Sequence, residues 1–270
     1  MAGQGCSGEL APVHTGGMRI LLQTARLLLR EFTADDAGLL EELDSDPRVM
    51  RYITNSMPTP RQEIIDEYIP AYLQYHRKGP DFGFWVAQLR DSGEFTGWFH
   101  LRPEPGDPVD EPELGYRLKH RFWGQGLATE GASALIDHAF SADSIDVTRV
   151  HASTMAVNIA SRMVMEKCGM DLVRHFVADW PVRIDGDELG DVEYAITRAQ
   201  WLEGRPPELQ RRWVPPRQAM GMGGEVAYAE DKRRFRSRHP RRVGTRGAHH
   251  GHHPHPHHWP FDPRGRRLHR

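Results

Sequence analysis

Two glycines set between a strand-like stretch and a helix-like stretch constrain this chain most tightly. Glu113-Leu-Gly-Tyr-Arg-Leu-Lys119 alternates like a strand with one exposed face. Leu127, Ala128, Ala132, Leu135, Ile136, Ala139 and Phe140 repeat with the period of a helix. Between them runs the short loop His120 to Gly126, which closes on Trp123-Gly-Gln-Gly126. Glycine lets the backbone approach a ligand closely. A helix start leaves its first N–H groups unpaired and carries the positive end of the dipole. Strand, glycine loop and helix N-terminus in that order form a cradle for a phosphate or pyrophosphate. An ordinary glycine-rich connection has the same residues, so the loop by itself leaves both readings open. A Walker loop is excluded, because no Gly-Lys-Ser/Thr follows. A dinucleotide fingerprint is excluded as well: Thr129 stands where its third glycine belongs. The strand before the loop alternates, whereas the strands of that fold are apolar on both faces.

Helices and strands alternate along residues 18–204. Arg19 to Arg30 reads as a β-like run. Thr33 N-caps a helix with Asp35 and Asp36 in its first turn, carried on by Leu39, Leu40 and Leu43 and stopped at Asp46-Pro47. A second helix fits Pro60 to Arg77, and Pro70 should kink or split it. Strands follow at 82–89 and 95–101 around a turn at Asp91-Ser-Gly93, then a Pro- and acid-rich loop at 103–112. After the glycine loop and its helix come a strand at 147–152 and a helix at 158–167 closed by Gly169. Late strands at 172–177 and 192–197 flank a turn at Asp185-Gly186. This is an α/β (α+β) chain with a mixed sheet.

The charge is uneven. Residues 203–270 hold 16 Lys or Arg against 6 Asp or Glu, whereas residues 1–202 hold 19 against 31. An acidic body of net charge −12 thus precedes a basic tail of net charge +10. The tail carries Lys232 to Arg242, rich in arginine, and seven histidines within His249 to His258. With no apolar stripe to offset its ordering entropy, 205–270 is expected to be disordered, and 1–17 to be a loose leader. Neither a secretion signal nor a membrane-length apolar run is visible, so a cytoplasmic protein without membrane contact is expected. Cys6 and Cys168 cannot build a disulfide framework. Cys168 reads as a packed small hydrophobe. The scattered body histidines lack ligand spacing, so no metal is required, although His100 and His151 are candidates to line an acceptor cleft.

The segments Thr24-Ala-Arg-Leu-Leu-Leu-Arg30, Glu113-Leu-Gly-Tyr-Arg-Leu118, Phe122-Trp-Gly-Gln-Gly-Leu-Ala-Thr-Glu130 and Asn158-Ile-Ala-Ser-Arg-Met-Val-Met-Glu-Lys-Cys-Gly169 follow one another in order. Together they resemble the GCN5-related N-acetyltransferase (GNAT) superfamily, in the branch similar to ribosomal-protein N-terminal acetyltransferases. The resemblance spans roughly 19–202. It implies a mostly antiparallel sheet flanked by helices, with a splayed central strand that binds acyl-CoA. It also implies acetyl-CoA as cosubstrate. The loop Trp123, Gly124, Gln125, Gly126, Leu127, Ala128 and Thr129 would hold the pyrophosphate. Tyr116, Arg117 and Leu118 would run beside pantetheine and acetyl, where a backbone N–H polarises the carbonyl. Asn158 would hydrogen-bond pantetheine, with Ser161 one turn along the same face; the other reading makes Asn158 an N-cap and leaves Ser161 solvated.

Acetyl transfer to an amine requires a base and an acid. Glu113 is the candidate base, acting directly or through water, against a reading as a solvated strand-end acid. Many relatives protonate the leaving thiolate with a tyrosine, but Met165 stands at that position, which leaves Ser161, water or the product amine. The expected partners are acetyl-CoA and an amine acceptor, either a protein N-terminus or a small cationic amine that suits the acidic body. A homodimer is compatible with the sequence. Nucleic acid is expected only through the tail. Two other classes stay open: a non-catalytic acyl-CoA sensor, and a tail-driven nucleic-acid or metal-binding protein. Acceptor specificity is expected in 47–80 and 179–190.

Overall fold

A computed structural model describes residues 14–15, 18–76, 81–103, 107–141, 146–178 and 183–204. The expected tail, with its arginine and histidine stretches, therefore lies outside the described residues, as does most of the leader. A second unit begins at Leu202 and contributes only 202–204 to what is described.

Among the described residues nine strands form one sheet: β1 (His14–Thr15), β2 (Met18–Gln23), β3 (Leu27–Glu31), β4 (Gly83–Leu89), β5 (Phe95–Arg102), β6 (Glu113–Leu118), β7 (Arg149–Met155), β8 (Asp171–Phe176) and β9 (Asp191–Thr197). Their order is β1-β2-β3-β4-β5-β6-β7-β9-β8. Every neighbouring pair is antiparallel except β6–β7, which is parallel and registers at a single position, Glu113 opposite His151. The two central strands therefore touch at their starts and part beyond them.

The run expected from Arg19 to Arg30 is two strands. Thr24 N–H bonds Leu27 C=O at 2.8 Å and turns the chain, so β2 pairs back on β3. The helices are α1 (Ala37–Asp44), α2 (Pro47–Met50), α3 (Arg61–Glu63), α4 (Ile69–His76), α5 (Leu127–Ser141), α6 (Ile159–Lys167) and α7 (Arg198–Glu203). Pro70 neither splits nor ends the second helical stretch. Instead α3 runs into α4 through one widened π-turn, Ile64–Tyr68. A wider turn just before proline accommodates both the missing N–H and the ring's clash with the preceding turn.

Apolar residues on alternate strand positions make two cores. On one face Leu101, Phe99, Leu114 and Leu118 pack with Leu127, Leu135, Ile136 and Phe140 of α5 and Met165 of α6. On the other, Phe84, Val86 and Trp98 pack with Leu40, Leu43, Ile64, Tyr68 and Tyr72 from α1 to α4. Helix α5 sits close to the sheet because Gly131 has no side chain. A Cβ there would stand 2.3 Å from Phe99 Cζ. Gly131→Ala should therefore destabilise the fold by about 1–3 kcal/mol through overpacking, outweighing alanine's better helix propensity. Urea unfolding of the two proteins measures it.

Candidate active site

The glycine loop leaves β6 through a short 3-10 turn, His120–Phe122, and reaches α5. Gly124 (φ 72) and Gly126 (φ 80) both lie in the left-handed region, where a side chain is strained. A Cβ on Gly124 would meet nothing within 4 Å, so its backbone lies open. The first bond of α5 runs from Glu130 N–H to Gly126 C=O at 2.9 Å. Leu127, Ala128 and Thr129 precede it and have no carbonyl within the helix to bond. A diphosphate fits this arrangement: open glycine backbone followed by donor N–H groups at a helix dipole's positive end. Trp123, 46% exposed, pins the loop to the strand through its indole N–H and Leu118 C=O, at 2.8 Å. The amide of Gln125 does the same to Arg121 C=O at 2.7 Å.

Sequence reasoning missed Arg26 and Glu130 as parts of this cradle. Glu130 accepts from Thr24 Oγ1 (2.5 Å), Arg26 N–H (2.8 Å) and Arg26 Nε (2.6 Å). Arg26 Nη1 also donates to Gln125 C=O at 2.9 Å. Its other nitrogen, Nη2, points to the Cβ side of Gly126 at 3.5 Å. A partly exposed cation thus stands beside the loop, braced by an acid in the first turn of α5. The signal was present as Thr24-Ala-Arg26 and Thr129-Glu130, although Arg26 and Glu130 lie 104 positions apart. Burial opposes ionisation of Glu130, but the bonds from Thr24 and Arg26 outweigh it and hold the carboxyl below its ordinary range. A depressed folded value gives stability that is complete above the unfolded pKa of about 4.3 and is lost as pH falls below it. Glu130→Gln should therefore cost about 1 kcal/mol at pH 7, and the difference from the wild type should vanish in acid. Thermal melts from pH 7 to 3 test this.

The side chains of β6 divide between the two faces. Arg117, expected beside the ligand, sends its guanidinium to the α1 side. There it pairs with buried Asp44, touches Met50 Sδ at 3.5 Å and lies 5.2 Å over the Trp98 ring. Only its backbone can face the gap between β6 and β7. Leu118 is core. Tyr116 turns to the α6 side, where its hydroxyl lies 3.0 Å from Ser161 Oγ and 3.1 Å from Ser161 C=O. Burial pushes that phenol above its ordinary range. Ser161 is therefore engaged with Tyr116 and not simply solvated. Asn158 is the N-cap of α6: its Oδ1 accepts from Ser161 N–H at 3.3 Å and its Nδ2 donates to Thr154 Oγ1 at 3.1 Å. One amide N–H and one lone pair are left for another partner. Met165 is buried core at 3% exposure.

At the point where β6 and β7 part, polar groups gather on the opposite face. Glu113, 7% exposed, has its Oε2 3.4 Å from Arg102 Nη2 and 3.5 Å from His100 Nε2. It is not a solvated strand-end acid. The His100 ring lies directly over Gly115, whose Cβ would come within 2.4 Å of Nε2. Burial, then Arg102, pushes the His100 pKa down to about 4 against the pull of Glu113, so the imidazole is neutral at pH 7. Cys168 is partly buried with its Sγ 3.4 Å from Ser133 Oγ, and burial raises its thiol pKa. Among the described residues no group of three or more His, Cys, Asp or Glu could hold a metal ion, and no helix is long and apolar enough to cross a membrane.

The two segments expected to set acceptor specificity touch each other at Asn55 and Asp185. Asn55 Oδ1 accepts from Asp185 N–H at 3.4 Å, and Asn55 (φ 55) and Ser56 (φ 70) are consecutive non-glycine residues in the left-handed region. Residues 179–182 lie outside the described set.

Known proteins match this architecture. The FsC-acetyl coenzyme A-N(2)-transacetylase of Aspergillus fumigatus is 35% identical over 201 residues, covering 72% of this chain and 83% of that protein. Solved folds include RimL, a ribosomal L7/L12 alpha-N-protein acetyltransferase in complex with coenzyme A. It is 20% identical with a TM-score of 0.55, covering 66% of this chain and 97% of that one. The aminoglycoside acetyltransferase AAC(6′)-Ib, also with coenzyme A, is 17% identical with a TM-score of 0.53, covering 67% and 99%. The model of the acetyltransferase (GNAT) domain matches residues 26–171, more than half of the chain. The chain belongs to the GNAT family of acetyltransferases.

Proposed function

We propose that the protein moves an acetyl group from acetyl-CoA to a primary amine by direct attack in a ternary complex. The parting of β6 and β7 beside the glycine loop carries this reading. Gly124 to Thr129 would take the diphosphate, with Arg26 adding positive charge. The backbone of Tyr116 to Leu118, unpaired on its β7 side beyond the single register pair, would take the pantetheine as an added strand. One N–H there would polarise the thioester carbonyl. Asn158 would offer pantetheine its remaining amide N–H or lone pair.

The thioester would lie between two polar groups on opposite faces. On the α6 side, the Tyr116–Ser161 hydroxyl pair would protonate the departing thiolate, the task for which buried Met165 has no proton. On the other, the carboxylate of Glu113 would support removal of the amine's proton. The A. fumigatus relative is named an N(2)-transacetylase, which supports transfer to nitrogen, and the net negative body suits a small cationic amine as acceptor. RimL makes a protein N-terminus the second acceptor class to try.

The experiment is a panel of small amines and N-terminal peptides incubated with acetyl-CoA. Free thiol release and mass spectrometry read the result. Gain of one acetyl by an amine, with stoichiometric thiol, is expected. Binding of acetyl-CoA with no transfer to any amine would instead support a sensor.

A further inference from the structure

Glu113 cannot itself meet an incoming amine: it is 7% exposed, with Arg102 and His100 both against its carboxylate. His100 is sealed at 3% exposure, so it too is shut off from the acceptor. The third member of this row is different. His151 on β7 stands opposite Glu113 at the one register pair that joins the parting strands. Directly paired positions on neighbouring strands lie about 5 Å apart, within reach of a carboxylate and an imidazole. The His151 Nδ1 is buried with no hydrogen-bond partner among the described residues, yet the residue as a whole is only half-buried. One ring nitrogen is thus buried without a partner in a residue that solvent still reaches in part. The ring is near enough to His100 to disfavour that residue's protonation. Around it stand Arg102 and Glu113 on β5 and β6, with Arg149 on β7 paired to Glu193 on β9. Its direct β9 partner, Ala195, carries no charge.

We propose that His151 is the catalytic base of the acetyl transfer, the group that takes the proton from the attacking amine, and that Glu113 is a positioning residue acting through it. This rests on the acetyl-transfer reading above. The amine nitrogen forms a bond to the thioester carbonyl carbon, and the proton it sheds passes to the imidazole of His151. The C–S bond breaks, and its electron pair stays on sulfur, which takes a proton from the Tyr116–Ser161 hydroxyl pair. The imidazolium then releases its proton to solvent, and the hydroxyl pair regains one. The products are the N-acetyl amine and coenzyme A. The anion of Glu113 favours the imidazolium that forms, much as a carboxylate orients a catalytic imidazole in other acyl transfers.

The test compares the intact wild-type chain with His151→Gln and His151→Ala. The readouts are kcat and KM with the best amine of the panel, together with calorimetric binding of acetyl-CoA. The proposal expects kcat to fall by about 10² or more in both variants, the range of general-base contributions. Acetyl-CoA affinity should stay within about twofold of the wild type, which also shows that the variants are folded. Added imidazole should return part of the rate to His151→Ala but not to His151→Gln. Glu113→Gln should lower kcat by less than His151→Gln does and leave KM for the amine unchanged. Retention of the wild-type kcat by His151→Gln would overturn the assignment. A wild type that binds acetyl-CoA but acetylates no amine would overturn the acetyl-transfer reading instead, and the base with it.

Discussion

Gly126→Pro should raise the dissociation constant for acetyl-CoA by about 10² or more while the protein stays folded. Proline fixes φ near −65°, and the loop requires +80° at this position. Adopting the proline angle turns the peptide planes of the loop and the start of α5, moving N–H groups away from the point where they converge. Gly126→Ala separates the conformational cost from this disruption. A non-glycine residue in the left-handed region costs about 1–2 kcal/mol, which corresponds to about tenfold in affinity. Calorimetry with acetyl-CoA measures both. The core should be spared, because a Cβ at this site meets nothing nearer than Arg26 Nη2 at 3.5 Å. Equal affinity in all three proteins would mean that the loop does not hold the ligand.

The second large effect is expected at the hydroxyl pair on the α6 side. Tyr116→Phe and Ser161→Ala should each lower kcat by about 10², with little change in acetyl-CoA affinity, since the lost group acts on the departing sulfur. The two hydroxyls lie 3.0 Å apart and serve one proton, so their effects should not add. The double variant should be about as slow as the worse single one. Steady-state thiol release decides this. A full product of the two losses would mean that the residues act independently.

Much of this architecture could be read from residue order. The alternation of Glu113 to Lys119, the glycines and the apolar period of α5 placed the strand, the loop and the helix in sequence. What sequence missed depends on contacts distant along the chain. Arg26 and Glu130 form the brace of the loop only because β3 and α5 lie side by side. The burial of Glu113 likewise follows from β5 laying His100 and Arg102 against it, whereas along the chain it stands among acids such as Asp110 and Glu111. Residue order places Arg117 beside the expected ligand, but side chains alternate across a strand and this one points to Asp44. Helix α7 was overlooked although its start carries a legible signal. Thr197 N–H and Oγ1 both bond Gln200 Oε1 at 2.8 Å, and Gln200 N–H returns to Thr197 Oγ1 at 3.3 Å, a capping box written Thr-x-x-Gln.

Amide hydrogen exchange of the intact protein with and without coenzyme A is the most direct test of how the ligand is held. Slowed exchange at Gly124 to Thr129 and at Tyr116 to Leu118, with β2 and β3 unchanged, is the expected result. Saturating coenzyme A that leaves both segments exchanging at their free rates would contradict the account.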